Sequence, residues 1–376
     1  MTREMQDELA AATSFHSSPN RGASVPQLSA IPEQRMSISE WRAKMGIDPA
    51  NQIKLVKLSH MRYQHPDLAK ITTFLRHFGM SVAAKTETKL WYKGYGTDQY
   101  VYYAQYGEKK FLGGCFEVES FADLEKAATL PNATEIQKID DAPGGGYMRS
   151  FTDPEGFQVN LIYGQTPKEA GQQPEVLVTN YEQDKPRKAR FQRFTLGPAE
   201  VHKLGHFGLC VTDFAAQADF YLRTFNLVPT DFLYADLRAL EDREDVALPK
   251  PEDRKDVALF AHIDRGSTYV DHHTFFMTDS ATSHVHHCSF EVHDFDSQNL
   301  GHEWLAQEGY ESVWGVGRHV LGSQIFDYWW DTTGNMIEHY TDGDLVNEDT
   351  PIGWALARGD TDLAVWGPDP PKWFLA

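Results

Sequence analysis

Positive charge is scarce in this sequence. Thirty-five lysines and arginines stand against 54 aspartates and glutamates, a formal net charge of −19 over 376 residues. Nucleic acid is excluded as an expected partner, because binding phosphate needs a local excess of Lys and Arg. The one basic cluster, Lys185, Arg187, Lys188 and Arg190, is short and has Glu182 and Asp184 beside it, which fits a solvated or internally paired connecting segment. Cysteine is almost missing. Cys115, Cys210 and Cys288 form no CxxC pair and sit in apolar, strand-like runs, so buried free thiols in a reducing compartment are expected. Long apolar runs are missing too: none reaches membrane-spanning length, and Met1–Glu8 lacks the apolar stretch of a signal peptide. The expectation is a cytoplasmic protein with no membrane partner. A hydrophobic content of 41% and a charged content of 24% are ordinary for a globular chain, and the length allows two or three domains with a substantial core.

What the sequence does have is repetition. Lys57-Leu58-Ser59-His60 recurs as Lys203-Leu204-Gly205-His206, and Phe116-Glu117-Val118 as Phe290-Glu291-Val292. The turn Asp153-x-x-Gly156 that precedes Val159-Asn160 recurs as Asp331-x-x-Gly334 before Ile337-Glu338. Each first landmark is followed by a helical pattern. Pro66 suits an opening turn and Gly79 a helix end in the first copy, and Asp213 is the expected cap in the second. Further helices are expected over 121–129 and 297–309 and a short one over 39–44, with strands at 100–104 and 257–261. Three landmarks in the same order imply a duplicated module. The resulting division is a partly flexible N-terminal arm over 1–50, a first module over 51–165, a proline-rich connection over 166–202, a second module over 203–345 and a tail over 346–376. Residues 17–26 of the arm bury too little to offset the entropy of ordering them. Prolines in the tail argue for packing on the body rather than a regular helix.

Histidine is concentrated in the second copy, where twelve of the sixteen lie between His202 and His339. Among them His206 and His287, with Glu338, come from three separate segments and match a ligand set that holds one face of a non-haem iron(II) and leaves the rest open. The first copy serves as an internal control: it keeps His60 but has Gly113 and Asn160 at the other two positions. One imidazole and an amide would hold iron poorly, so the first module is expected to be empty and His60 to be a core residue. His286 and His287 compete for one position, since neighbours on a regular strand point to opposite faces and a bulge would change which one faces the metal.

These landmarks resemble those of the type I extradiol ring-cleaving dioxygenases, in the vicinal oxygen chelate superfamily. The resemblance covers residues 53–345 and is denser in the second half. It implies an α+β fold of tandem βαβββ modules forming curved mixed sheets, with metal only in the C-terminal half. It selects His287 over His286, because the family leaves three residues between this ligand and the Glu-Val pair. It implies His206, His287 and Glu338 as ligands of Fe(II), with Mn(II) as the alternative ion. His273 falls on the family's acid–base histidine. His319, in Gly-Arg-His, and Tyr328 fall on two polar residues that donate hydrogen bonds to substrate or dioxygen. The implied activity is ring cleavage of a catecholic substrate beside its two hydroxyls, with both atoms of O2 incorporated, by a homo-oligomer. Thr332 stands where the family usually has proline, and Gly322 where it often has an acid. Two rival readings remain: a glyoxalase-like or epimerase-like metalloenzyme, against which Gly113 and Asn160 count, and a non-catalytic aromatic-binding protein, against which His273, His319 and Tyr328 count.

Overall fold

Alternating aromatic and β-branched strands, interrupted by short capped helices, wrap the described residues into two large curved mixed sheets and a small ribbon of Val270–Asp271 with Leu345–Val346. The computed structural model describes residues 34–238, 250–357 and 363–374, with eight strands in the first sheet and eleven in the second. The segment 17–26 expected to form an arm lies outside the described residues.

The middle of each sheet carries the duplication. In the first, Leu55–His65 runs antiparallel to Lys110–Val118, which runs parallel to Gln158–Tyr163. In the second, Val201–Val211 runs antiparallel to His284–Val292, which runs parallel to Met336–Thr341. The registers correspond residue by residue. His60 faces Cys115 and Cys115 faces Asn160, whereas His206 faces Ser289 and Ser289 faces Glu338. The repeated sequence landmarks are therefore repeated positions on one sheet face.

Helix starts follow their caps. Asp67 accepts hydrogen bonds from the amides of Ala69 and Lys70 and opens Leu68–His77, so Pro66 stands before the cap rather than in the first turn. Asp213 opens Phe214–Thr224 as expected. Asp294 opens Phe295–Gln307 two residues earlier than the apolar pattern suggests, and a capping box of Ser37 and Glu40 opens Ile38–Met45. Within the first fifty residues, Gln34–Met36 adds an edge strand beside Ile352–Leu356. Trp41 there is buried, and Arg42 pairs with Asp264 at 2.7 Å.

The two sheets are interlocked near the second module's centre. His339 donates from Nε2 to the Phe78 carbonyl at 2.7 Å and stacks on the Phe78 ring at 3.6 Å. His65 bonds Thr333 at 2.7 Å. Buried Phe74, Phe116, Phe207 and Phe290 fill the space around these contacts, each worth about 1.5–3 kcal/mol of burial. All three cysteines are free and buried, and no described helix is long and apolar enough to cross a membrane.

Candidate metal centre

The sheet register brings three distant residues to one point. His206 and Glu338 flank Ser289 on adjacent strands, and His287, two residues before Ser289, shares its face because strand side chains alternate. Glu338 Oε2 lies 3.1 Å from His206 Nε2 and 3.5 Å from His287 Nε2. One donor atom from each of the three residues lies within 4.8 Å of the other two. The imidazole planes of His206 and His287 are 85° apart with centroids 5.2 Å apart. Glu338 is wholly buried, yet neither carboxylate oxygen receives a hydrogen bond, and His206 Nδ1 and His287 Nε2 also lack partners. A buried carboxylate left this way costs several kcal/mol, which a divalent cation between the three side chains removes. Burial, reinforced by repulsion from His286, His206 and His319, holds His287 well below the usual imidazole range, so its ring is neutral, as a metal ligand requires. The residues therefore fit a cation that prefers nitrogen and oxygen donors.

The strand is not regular at this point. Gly208 pairs with His287 but Leu209 pairs with Val285, so His286 is an extra residue in the ladder. The bulge leaves His287 on the metal face and turns His286 alongside it. His286 is consequently buried, with its Nδ1 2.6 Å from His287 Nδ1. His284, by contrast, is exposed.

The first module shows the same positions closed. Asn160 donates to the carbonyls of Leu112 and Gly114 and accepts from Ser150 and Gln158, so its amide is fully satisfied. His60 bonds Ser59 at 3.1 Å and accepts from Arg62 at 3.3 Å. Gly113 has φ +91°, and a Cβ there would lie 1.9 Å from the Gln158 carbonyl oxygen. No ligating side chain fits. Among the described residues, the only triad of ligand-type side chains able to hold a metal is the one in the second module.

The remaining expected residues surround the triad. The His273 ring lies 4.1 Å from that of His206, and burial with repulsion from His206, His272, His287 and His319 holds it well below the ordinary imidazole range. Behind it stand two residues the sequence reading did not assign to the site. His272 Nε2 donates to Asp231 at 2.8 Å, and His272 Nδ1 lies 3.1 Å from His273 Nδ1. Gly322 explains its own departure from the family: with φ +79°, its Cβ would come within 3.0 Å of His272 Nδ1 and 2.5 Å of Gln324 Oε1. An acid there would collide with the Asp231–His272 pair.

His319 and Tyr328 meet each other rather than standing apart. His319 Nδ1 donates to the Leu363 carbonyl at 3.0 Å, so the neutral ring accepts at Nε2 from the Tyr328 hydroxyl, 2.9 Å away. Burial, and to a lesser extent the Glu338 carboxylate, holds the Tyr328 phenol well above its ordinary range. The tail contributes to this wall, since Phe374 packs edge-on against Tyr328, Trp314 and His286.

Comparison with known proteins agrees with this geometry. The sequence profile of the Glyoxalase/Bleomycin resistance protein/Dioxygenase superfamily matches residues 203–339. The chain is 30% identical over 327 residues to metapyrocatechase 2 of Cupriavidus necator, covering 85% of this chain and 91% of that one. The chain belongs to the extradiol dioxygenase family. Solved structures of the same fold include homoprotocatechuate 2,3-dioxygenase from Arthrobacter globiformis, at TM-score 0.67 and 18% identity over 86% of this chain and 92% of that one. The Mn(II)-bound glyoxalase from Novosphingobium aromaticivorans matches with TM-score 0.67 and 17% identity over 86% and 95%. Membership in the extradiol family agrees with a His206, His287 and Glu338 cluster in the second module.

Proposed function

We propose that this chain cleaves the ring of a catecholic substrate with O2 at a single Fe(II) held by His206, His287 and Glu338. The observation that carries this reading is the buried, donor-free Glu338 carboxylate between two imidazole edges, in a register whose twin in the first module is fully hydrogen-bonded. Two imidazoles and one carboxylate would hold the ion and leave positions open for substrate and dioxygen. Bound iron supplies the Lewis acidity and the one-electron chemistry that brings a catecholate and O2 together. Mn(II), which accepts the same donors, is the alternative ion.

The protein's own part is proton handling and exclusion of water. His272, its Nε2 held by Asp231, meets His273 at Nδ1, 3.1 Å away, and so fixes the orientation of the His273 ring. His273, kept neutral chiefly by burial, takes a proton from a catechol hydroxyl and gives it back when the ring opens, a role typically worth about 10²–10⁴ in rate. An oxygen that gains negative charge competes with His319 Nε2 for the Tyr328 proton, so the phenol is positioned to stabilise that charge. Phe260 lies 5.1 Å from His273 and Phe276 6.0 Å from His287, and these apolar walls keep the local dielectric low.

The test is anaerobic reconstitution with Fe(II) or Mn(II), followed by a panel of catechols read by oxygen uptake and by the coloured ring-fission product. Turnover that depends on added metal, is abolished by Glu338→Gln and His287→Ala and persists in folded His60→Ala is the expected result. Equal loss in His60→Ala would point to a metal site shared between modules and refute the reading.

A further inference from the structure

The tail lies outside the matched superfamily segment, yet its backbone reaches the back of the metal centre. His286 Nε2 is 2.5 Å from the Phe374 carbonyl oxygen. A carbonyl can only accept, so this nitrogen carries the proton and, in the neutral ring, His286 Nδ1 bears the lone pair. The His286 ring is buried against Phe276 and Phe374, with no carboxylate among its hydrogen-bond partners to hold a second proton. The neighbouring His287 Nδ1, 2.6 Å away, must then donate, and the lone pair of His287 is left on Nε2, the nitrogen that faces Glu338 without a partner. The direction of every proton in this chain follows from the one group that cannot donate.

We propose that the C-terminal segment, acting through the Phe374 carbonyl and His286, fixes the tautomer of His287 and so presents its Nε2 lone pair to the metal. His286 is a positioning residue in this scheme, and Phe374 is its anchor. The bulge at His286 has a purpose on this view, since a regular strand would point His286 away from His287 and break the relay. The same segment sets a second proton, because the Leu363 carbonyl accepts from His319 Nδ1 and leaves His319 Nε2 to accept from Tyr328. Partners of this kind behind a ligating histidine are worth about 10–100-fold in metal affinity. The inference rests on the metal reading above.

Affinity for the metal alone, not turnover, is the measurement that tests it. Co(II) is titrated into the metal-free full chain against a chromophoric chelator, with thermal melting as the check on folding. His286→Phe keeps the ring's packing against Phe276 and Phe374 but removes both hydrogen bonds, and is expected to weaken Co(II) about 10–100-fold. His286→Gln, whose amide can donate to Phe374 and accept from His287, is expected to recover most of that affinity. A chain ending at Phe374 keeps an acceptor at this position and should bind like the parent, whereas one ending at Trp373 should bind like His286→Phe. Parental affinity in folded His286→Phe overturns the proposal. Equal weakness of the Gln and Phe variants overturns the tautomer argument in favour of shape alone. Failure of Co(II) to bind the parent chain would instead overturn the metal reading, and the inference with it.

Discussion

Replacing Glu338 by glutamine should raise the stability of the metal-free protein and remove the stabilisation that metal gives. In the metal-free protein the Glu338 carboxylate is wholly buried and neither oxygen accepts a hydrogen bond. His206 Nε2 and His287 Nε2 lie 3.1 and 3.5 Å from it. A glutamine amide carries no charge and can donate to those lone pairs, removing an unmet group worth about 1–3 kcal/mol. A 376-residue chain unfolds with an entropy near 0.8 kcal/mol/K at about 2.1 cal/mol/K per residue, so the metal-free variant should melt about 1–4 °C above the parent. Metal at a hundred times its dissociation constant stabilises the parent by about 2.7 kcal/mol, or roughly 3 °C on the same scale. The variant, without the anionic ligand, should gain almost nothing. Scanning calorimetry of both proteins, with chelator and with Fe(II) under argon, reads all four values. A metal-free variant that melts below the parent, or metal that raises both alike, would refute the argument that Glu338 is an unpaired carboxylate held for a cation.

Asp231→Asn should lower kcat about 10–100-fold with little change in KM or metal content, because it loosens the partner that holds His272 and hence His273; a change confined to KM would contradict this. Gly322→Asp, which restores the family's acid, should lose turnover and stability together, since φ is +79° and the new side chain meets His272. The double variant Gly113→His/Asn160→Glu should not gain a second equivalent of metal by elemental analysis, because a Cβ at Gly113 would meet the Gln158 carbonyl at 1.9 Å. His262, buried and donating to Thr230, is held down to about 4 against an unfolded value near 6.5, so the unfolded chain binds the extra proton between those values. Stability from this group is full above about pH 6.5 and is lost as pH falls towards about 4, by up to ~3 kcal/mol. Urea unfolding of parent and His262→Gln from pH 7.5 to 4.5 should show the parent losing stability faster on acidification, and parallel curves would refute it.

The parts of this protein legible in its sequence are those written locally or written twice. His206 and Glu338 stand out because the same landmarks recur around His60 and Asn160, and the pairing across Ser289 turns that recurrence into shared sheet positions. The helix cap at Asp213 is visible for the same local reason. The strand expected at 100–104 begins at Tyr102 and runs to Tyr106, a shift of two residues that leaves every side chain on its original face. The bulge at His286 was not legible, since nothing in His284-Val-His-His-Cys announces an extra residue in the ladder. Adjacent histidines at 272 and 273 offered a hint of a pair, but Asp231 lies on another strand with no motif of its own.

What escaped the sequence shares one physical character. The side chains of His206, His287 and Glu338 are brought together by strand register, whereas the protons around them are held by partners on another strand and in the tail. Asp231 on Leu227–Asp236 orders His272, Leu363 orders His319, and Phe374 orders His286. Two of these three partners are backbone carbonyls, which any residue type could supply, so no residue preference records them. A module matched by its landmarks alone therefore predicts where a cation sits but not how basic or well aimed its ligands are. The tail, which lies outside the matched segment 203–339, holds two of these three partners, so much of that second property is decided there.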